Sequence, residues 1–280
     1  FGDFLNQGSL VNYVPGFSTN SGGVALGADY LFGSDFLVGG SLAYSYSALN
    51  IHNGGAGSGF GHTNSGYALF YSSYSIEHFF TDLVLLGAYN GFNGTRHVKF
   101  GSSFASLNLK PHHTNSGIEG AVHLAMGVPL GPKGEMCDAW FTPYAMVDYI
   151  FIHETDYKEH KGDCIDLKVK SRNSDYLRAE EGFRLSAYKV FTCVTVVPEV
   201  RLAVAEEWRF HGKKTTARFQ EGDIFFTVNG IFPNRVLFVP GAAVSTYFFN
   251  NQSILNVRLD AEIARHYWDV KMQVEYSYRF

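Results

Sequence analysis

From Val270 to Phe280 the chain reads VKMQVEYSYRF and alternates without a break. Val270, Met272, Val274, Tyr276, Tyr278 and Phe280 are apolar or aromatic, and Lys271, Gln273, Glu275, Ser277 and Arg279 fill the places between them. Successive side chains of an extended strand point to opposite faces, so a period of two predicts a β-strand with one apolar and one polar face. The same period recurs along the whole chain in about twelve runs. Val24, Leu26, Tyr30 and Phe32 oppose Ala25, Gly27 and Asp29; Phe36, Val38, Leu42, Tyr44 and Tyr46 oppose Gly39, Ser41, Ala43, Ser45 and Ser47. Ile118, Val122, Leu124, Met126 and Val128 oppose Glu119, Ala121, His123 and Ala125. Val194, Val196, Val200, Leu202 and Val204 oppose Thr195, Glu199 and Arg201, and Leu255, Val257, Leu259, Ala261 and Ile263 oppose Asn256, Arg258, Asp260 and Glu262. Looser runs cover roughly Leu10–Thr19, Ser65–Tyr74, Phe79–Asn90, Trp140–His153, Asp175–Tyr188, Arg235–Phe249 and Asp269–Phe280. Glu181 falls on the apolar parity of its run and Phe70 on the polar parity, which predicts a bulge or a slipped register at each. Pro143 and Pro240 lie inside runs, where they predict bulges or local edges.

The links between runs alternate in length. Gly33–Asp35, Ser75–His78, Lys189–Phe191 and Asn250–Gln252 are hairpin turns in length, whereas 50–64, 91–116, 154–174 and 206–234 are long. Three links depart from the rule: Pro129–Ala139 is longer than a hairpin, and Asn20 with Ser21 and the link near His266 are short. Short links at one end and long links at the other predict an up-and-down antiparallel sheet, and so many strands close into a barrel because closure removes the edges.

The side that meets lipid follows from the polar parity. It is rich in Gly, Ala and Ser, with scattered charges of both signs, and a water-facing surface would carry more Lys and Glu. Charged residues are 17% of the chain against roughly 25% in an average soluble domain. Aromatics crowd the strand ends, as in Tyr44 and Tyr46, Tyr67 and Tyr71, Tyr149 and Phe151, and the terminal Tyr276, Tyr278 and Phe280. That distribution matches the girdles of an outer-membrane barrel, whose outer face is apolar and whose interior is polar. The chain therefore predicts an all-β, closed, up-and-down antiparallel transmembrane barrel of about twelve strands, occupying residues 1–280 as one domain.

Other classes are disfavoured. No run of 18 or so residues is continuously apolar, so no spanning helix is expected. A net charge of −4 without a basic stripe argues against a nucleic-acid partner. Cys137, Cys164 and Cys193 are widely spaced with no paired-cysteine motif, so they predict no metal knuckle; one disulfide with a spare thiol, or three unrelated small residues, both fit. No cofactor and no metal is expected. The first residues, FGDFLNQGSL, carry no basic segment or cleavage-like motif and read as neither a signal peptide nor a helix.

With the runs laid out, GGVALGADYLFGSDFLVGGSLAYSYSAL resembles the second and third strands of an autotransporter β-domain, with Gly23, Gly27, Asp29 and Tyr30 as the matching motif positions. GYALFYSSYS, GIEGAVHLAMGVPL, AWFTPYAMVDYIF, DYLRAEEGFRLSAYKV, VVPEVRLAVAEEW and the terminal VKMQVEYSYRF are similar to that family in order, spacing and type. Chlamydia-type polymorphic membrane proteins end in similar domains. The resemblance implies a twelve-stranded translocator barrel in the bacterial outer membrane that anchors a secreted N-terminal passenger and enables its export to the cell surface by type V secretion. The passenger and the helix that threads the lumen in such proteins are expected upstream of Phe1. Outer-membrane lipid, the barrel-assembly machinery and the chain's own passenger are the implied partners, with the barrel itself monomeric. The aromatic end, Tyr276, Tyr278 and Phe280, is implied to be the assembly signal.

Inside such a barrel the polar parity brings together Glu119, Asp148, Arg178, Glu180, Arg184, Glu199, Arg201, Arg258, Asp260, Glu262, Lys271 and Glu275, a set whose mixed signs predict lumenal ion pairs. These charges read either as structural filling or as a hydrated lining that does not grip an unfolded chain. Two rival functions share the architecture. A porin-like channel needs no passenger, but twelve strands give a narrower lumen than a porin's. An outer-membrane hydrolase would use rim residues, here His153, His160, Asp163 and His211, yet no spacing singles out a nucleophile, a base and an orienting group, so no enzyme is expected. The loops are expected to collect His52, His62, His97, His112, His113, His153, His160 and His211 as solvated side chains; His97, His112 and His113 make poor metal ligands, because neighbours on a strand diverge. Some members of the family cut their passenger away at an Asn-Asn pair in the lumenal helix. Asn250 and Asn251 form such a pair but fall in a hairpin turn, which favours Asn on its own account, so no self-cleavage is expected there.

Overall fold

A computed structural model describes residues 1–8, 16–54, 57–100, 107–131, 138–212, 214–230, 235–249 and 252–279. Twelve antiparallel strands close on themselves: β1 (Gly2–Gln7), β2 (Phe17–Phe32), β3 (Phe36–Gly54), β4 (Gly57–Ile76), β5 (Phe79–Phe100), β6 (His112–Gly127), β7 (Asp138–Glu154), β8 (Arg172–Val190), β9 (Val194–His211), β10 (Arg235–Phe248), β11 (Ser253–Ala264) and β12 (Tyr267–Tyr278). Each strand pairs with its sequence neighbours, and β1 pairs with both β2 and β12, which closes the ring. Among the described residues there is no α-helix, only a 3-10 turn at Asp163–Ile165.

The barrel is polar inside and apolar outside. Val24, Leu26 and Leu42 are 71%, 83% and 69% exposed on the outer face, while Gln7, Asn90, Arg178, Glu180, Glu262 and Asp269 are buried. Leaving such aliphatic side chains in water would forfeit roughly 1.5–3 kcal/mol each, so the outer face is built for a lipid environment. Aromatic side chains ring both ends of this band. Tyr30, Phe32, Tyr276 and Tyr278 stand exposed at the short-turn end, and Tyr44, Tyr46, Tyr89 and Trp268 stand toward the long-loop end. Several strands far exceed the 9–11 residues that cross a bilayer. β4 spans 20 residues and β5 spans 22, so both project beyond the band at the long-loop end.

The turns behave as their residues require. Gly33, with φ +68°, reverses the chain between β2 and β3, and His266 takes φ +62° in the two-residue link from β11 to β12. Pro240 coincides with a gap in the β10–β11 ladder, where pairing passes from Phe238↔Ile263 to Gly241↔Asp260 with the register unchanged. Pro143 sits where the β6–β7 ladder ends, just past Gly127↔Tyr144.

Four expectations need correction. The first described strand is Gly2–Gln7; of the expected run Leu10–Thr19, residues 10–15 lie outside the described residues, and Phe17–Thr19, Asn20 and Ser21 all belong to β2. It is short and fairly polar, and it is a strand because β2 and β12 both offer it hydrogen bonds. No bulge occurs at Phe70 or Glu181; the register slips instead between Ile51 and Gly54 and between Asp175 and Tyr176. Phe70 faces out, and Tyr67, Leu69 and Tyr71 face in, so these two tyrosines are not part of an outer girdle. The histidines are not mostly loop residues: His52, His62, His97, His112, His113, His153 and His211 sit on the strand extensions at the long-loop end, and only His160 lies in a loop.

The long loops also fold. Tyr157–Lys158 and Leu167–Val169 from the β7–β8 link join Lys214–Phe219 and Phe226–Asn229 from the β9–β10 link in a four-stranded sheet. Ile165, Val169 and Ala217 are the buried hydrophobic residues of this region.

Candidate functional site

The lumen is the concave, polar space of this fold, and its two sides are built differently. Around β7 to β12 the inward side chains lock together. Arg178 on β8 donates from Nη2 to Glu180 Oε2 at 2.8 Å and from Nη1 to Glu262 Oε1 at 2.6 Å. Glu262 is on β11, so this bond passes over β9 and β10. Beneath it lie Ala203, Ala205, Leu237 and Val239, which are completely or nearly buried. Lys271 Nζ reaches Glu262 Oε1 at 2.6 Å and Asp269 Oδ2 at 3.5 Å. Arg201 bridges Glu180 at 3.4 Å and Asp260 at 2.9 Å. The hydroxyls of Tyr144 and Tyr267 donate to Glu180 at 2.7 Å and Glu262 at 3.3 Å. An isolated buried charge would be prohibitive, and here each carboxylate meets a cation and each cation a carboxylate. The result is a small core built inside the barrel, with aliphatic side chains on the wall and an ionic lid over them.

Of the charged residues expected in the lumen, Arg178, Glu180, Arg201, Asp260, Glu262 and Lys271 thus share one network. The others stand apart. Glu199 meets Arg258 at 3.6 Å, Asp148 accepts His123 Nδ1 at 2.6 Å, and Glu119 accepts Asn90 Nδ2 at 3.2 Å. Arg184 lies over the rings of Tyr144 and Phe80, and Glu275 is exposed toward the short-turn end, bonded by Ser277. Sequence reasoning misses Tyr144, Tyr267 and Asp269. All three share the parity of residues it does select, and the aromatic pair escapes it because aromatics read as lipid-facing.

The opposite side, β1 to β5, carries mostly small, uncharged side chains, with Asp3 and Asp29 also facing in. A cavity of about 590 Å³ runs against it, lined by Ala25, Ser41, Ala43, Ser45, Ser47 and Ser65, with Tyr67, Leu69 and Leu86 beyond them. Phe1, Asp3, Arg258, Asp260 and Lys271 form its border toward the charged side.

The motif positions sit on this smooth side. Gly23, Gly27 and Asp29 face in, and Tyr30 faces out in the aromatic ring, edge-to-face with Phe32 at 4.7 Å. The Phe1 ring lies where a Cβ on Gly23 would be, and the backbone nitrogen of Phe1 donates to the Gly23 carbonyl at 3.0 Å. Tyr71 covers Gly39 in the same manner, and its hydroxyl donates to Asp29 Oδ2 at 3.0 Å. Tyr276 and Tyr278 are outward and exposed at the short-turn end, while Phe280 lies outside the described residues, as do Cys137, Asn250 and Asn251. Cys164 and Cys193 are free and exposed.

The rim residues do not converge. His153 contacts Asn173, His160 pairs its backbone with His112, Asp163 sits in the 3-10 turn, and His211 contacts Asp175 at 2.7 Å. Among the described residues no serine or cysteine hydrogen-bonds His211, and no group of three or more His, Cys, Asp or Glu could hold a metal ion.

A closed twelve-stranded barrel with an apolar band, aromatic rings and a polar interior defines a β-barrel of the outer-membrane type. Residues 1–277 match the Autotransporter beta-domain, and the chain belongs to that family. Its fold is similar to the translocator domain of the autotransporter NalP from Neisseria meningitidis (TM-score 0.71, 14% identity, 100% of this chain and 85% of that one). It is also similar to the β-domain of the Bordetella autotransporter BrkA (TM-score 0.62, 12% identity, 99% and 97%) and to the transport unit of AIDA-I from Escherichia coli (TM-score 0.60, 12% identity, 100% and 88%). No curated protein sequence matches the chain. The barrel is an outer-membrane translocator and anchor domain for passenger export, and its family places it in the bacterial outer membrane.

Proposed function

We propose that residues 1–280 act as one translocator unit and that the passenger travels along the smooth side of the lumen. The observation that carries this reading is the cavity against β1 to β5, whose wall on that side is largely Ser and Ala, while the charges of Asp3, Arg258, Asp260 and Lys271 stand along its border. The charged half has the complementary role of filling the barrel and holding its shape. In this reading the ion pairs are structural, the domain has no catalytic role, and it works as a monomeric barrel joined to an upstream passenger. The row Tyr276, Tyr278 and Phe280 is the segment read by the barrel-assembly machinery.

Ser45 and Ser65 face each other across β3 and β4 inside the cavity wall. Ser45→Trp combined with Ser65→Trp narrows the lane without touching the ion pairs. The expected outcome is a barrel that still inserts and migrates as a heat-modifiable band, with loss of protease-accessible passenger at the cell surface. Full passenger display by the double variant would refute the lane. Deletion of Phe280 is expected to reduce insertion while leaving synthesis unchanged.

A further inference from the structure

The four-stranded sheet at the long-loop end is fixed to the barrel along one edge and, among the described residues, unpaired along the other. At the fixed edge, His112 and His160 exchange two backbone hydrogen bonds of 2.8 Å, and the Tyr157 ring stacks on His113 at 4.1 Å. Arg96 on β5 grips the buried Glu159 with bonds of 3.1 and 2.6 Å and also donates to the Ile165 carbonyl. The strand order then runs outward from Tyr157–Lys158 through Leu167–Val169 and Lys214–Phe219 to Phe226–Asn229. This last strand is held by four residue pairs, all on one side, from Lys214↔Asn229 to Ala217↔Phe226.

The outer edge lacks the usual protections. Free edges in stable proteins carry charges, prolines or bulges, because an exposed row of backbone groups beside apolar side chains recruits another strand. Here the segment from Ile224 to Asn229 reads IFFTVN, with no charge and no proline. Ile224 is 84% exposed and Val228 55%, and Phe225 is covered only by Lys170 and Arg218 lying over its ring. A short, uncharged, β-prone segment of this kind is built for strand pairing. Among the described residues nothing pairs with its outer edge.

We propose that Phe226–Asn229 is a docking edge to which the exported passenger adds an extended strand as it leaves the barrel. The recognition chemistry is β-augmentation: backbone hydrogen bonds supply the attraction, and Ile224, Phe226 and Val228 prefer apolar side chains at alternate positions of the incoming chain. The sheet stands at the long-loop end, which faces outward in outer-membrane barrels, and the passenger is the extended polypeptide that the family's role delivers to that face. This inference rests on passenger export as set out above. A rigid, anchored template outside the membrane would give the first passenger segment a partner before the rest of the passenger has emerged.

The test uses the full-length protein displayed on cells. The photo-crosslinking residue p-benzoylphenylalanine is placed at Val228 and, as a control, at Lys158 on the anchored edge. The expected result is a light-dependent band joining barrel domain and passenger from position 228 and none from position 158. The companion variant Val228→Lys, which puts a charge on the exposed edge, is expected to slow the acquisition of protease resistance by the displayed passenger several-fold, with the barrel still heat-modifiable. Normal export without a crosslink from Val228, or a crosslink to a second barrel copy, overturns the docking edge and leaves the export reading intact. Absence of any surface passenger in the parent protein sinks the export reading itself.

Discussion

The two sides of the lumen solve the same problem by different means. A barrel of twelve strands encloses more space than its backbone can fill. On β7 to β12 the space is filled by an ionic network roofing Ala203, Ala205, Leu237 and Val239. On β1 to β5 it is left open and lined with Ser and Ala. The charged side gains rigidity, because each member of the network is fixed by its partners on other strands. The smooth side keeps an open space walled largely by Ser and Ala, the lane proposed above for the passenger. A uniformly charged lumen would hold an unfolded polypeptide by its own charges, and a uniformly small-residue lumen would leave the barrel without internal bracing.

The largest effect is expected on the braced side. Glu180 is 1% exposed and accepts bonds from Arg178, Arg201 and Tyr144. Glu180→Ala removes all three and leaves two buried guanidinium groups short of a partner, a change that typically costs about 3–5 kcal/mol. Urea unfolding of the refolded barrel in lipid vesicles should show this as a large fall in the midpoint. The matching change on the smooth side, Ser47→Ala, at a half-buried residue of the cavity wall, should stay within about 0.5 kcal/mol of the parent. Equal losses from the two variants would erase the distinction between the sides.

A smaller effect separates filled from empty places on the smooth side and the outer face. A Cβ on Gly39 would lie 2.4 Å from the Tyr71 ring, whereas a Cβ on Gly66, on the outer face, would meet nothing within 4 Å. Gly39→Leu must displace the ring and its bond to Asp29, an overpacking that costs about 1–3 kcal/mol. Gly66→Ala should raise stability by roughly 0.5–1 kcal/mol through the lost freedom of the unfolded chain. The temperature at which the compact gel band converts to the unfolded one checks both directions.

The same contrast explains which parts of the barrel are legible in its sequence. Where the lumen is charged, parity is unambiguous: Arg178, Glu180, Glu262 and Lys271 mark the inward face of their strands, and the outward face follows. Where the lumen is uncharged the rule weakens. On β4 the inward residues Tyr67, Leu69 and Tyr71 are more apolar than the outward Gly66, Ala68 and Ser72, so hydrophobicity alone assigns that strand the wrong way round. β1 is illegible for another reason, since its strand character comes from the hydrogen bonds that β2 and β12 offer at closure. The pairing of Arg178 with Glu262 is likewise beyond sequence reasoning, because only the curvature of the closed sheet brings β8 and β11 within reach.

The smallest effect concerns a residue that belongs to neither side. Glu181 lies on the outward parity of β8, paired without a register break to Ala145 on β7 and Val204 on β9, and it is exposed. Its neighbours along the strand's outer face are Ala179 and Phe183, so no cation on this face offsets it among the described residues. A carboxylate at this depth costs less than the roughly 2–4 kcal/mol of an arginine or lysine at the bilayer midplane, yet the cost is not zero. Glu181→Leu is therefore expected to stabilise the barrel by about 1 kcal/mol in vesicles. It should do so without changing passenger display, since it touches neither the lane nor the ionic network. A destabilised or display-deficient Glu181→Leu barrel would instead place a partner for this carboxylate on the outer face, and the division of labour between the two lumenal walls would no longer be the whole account of how this barrel works.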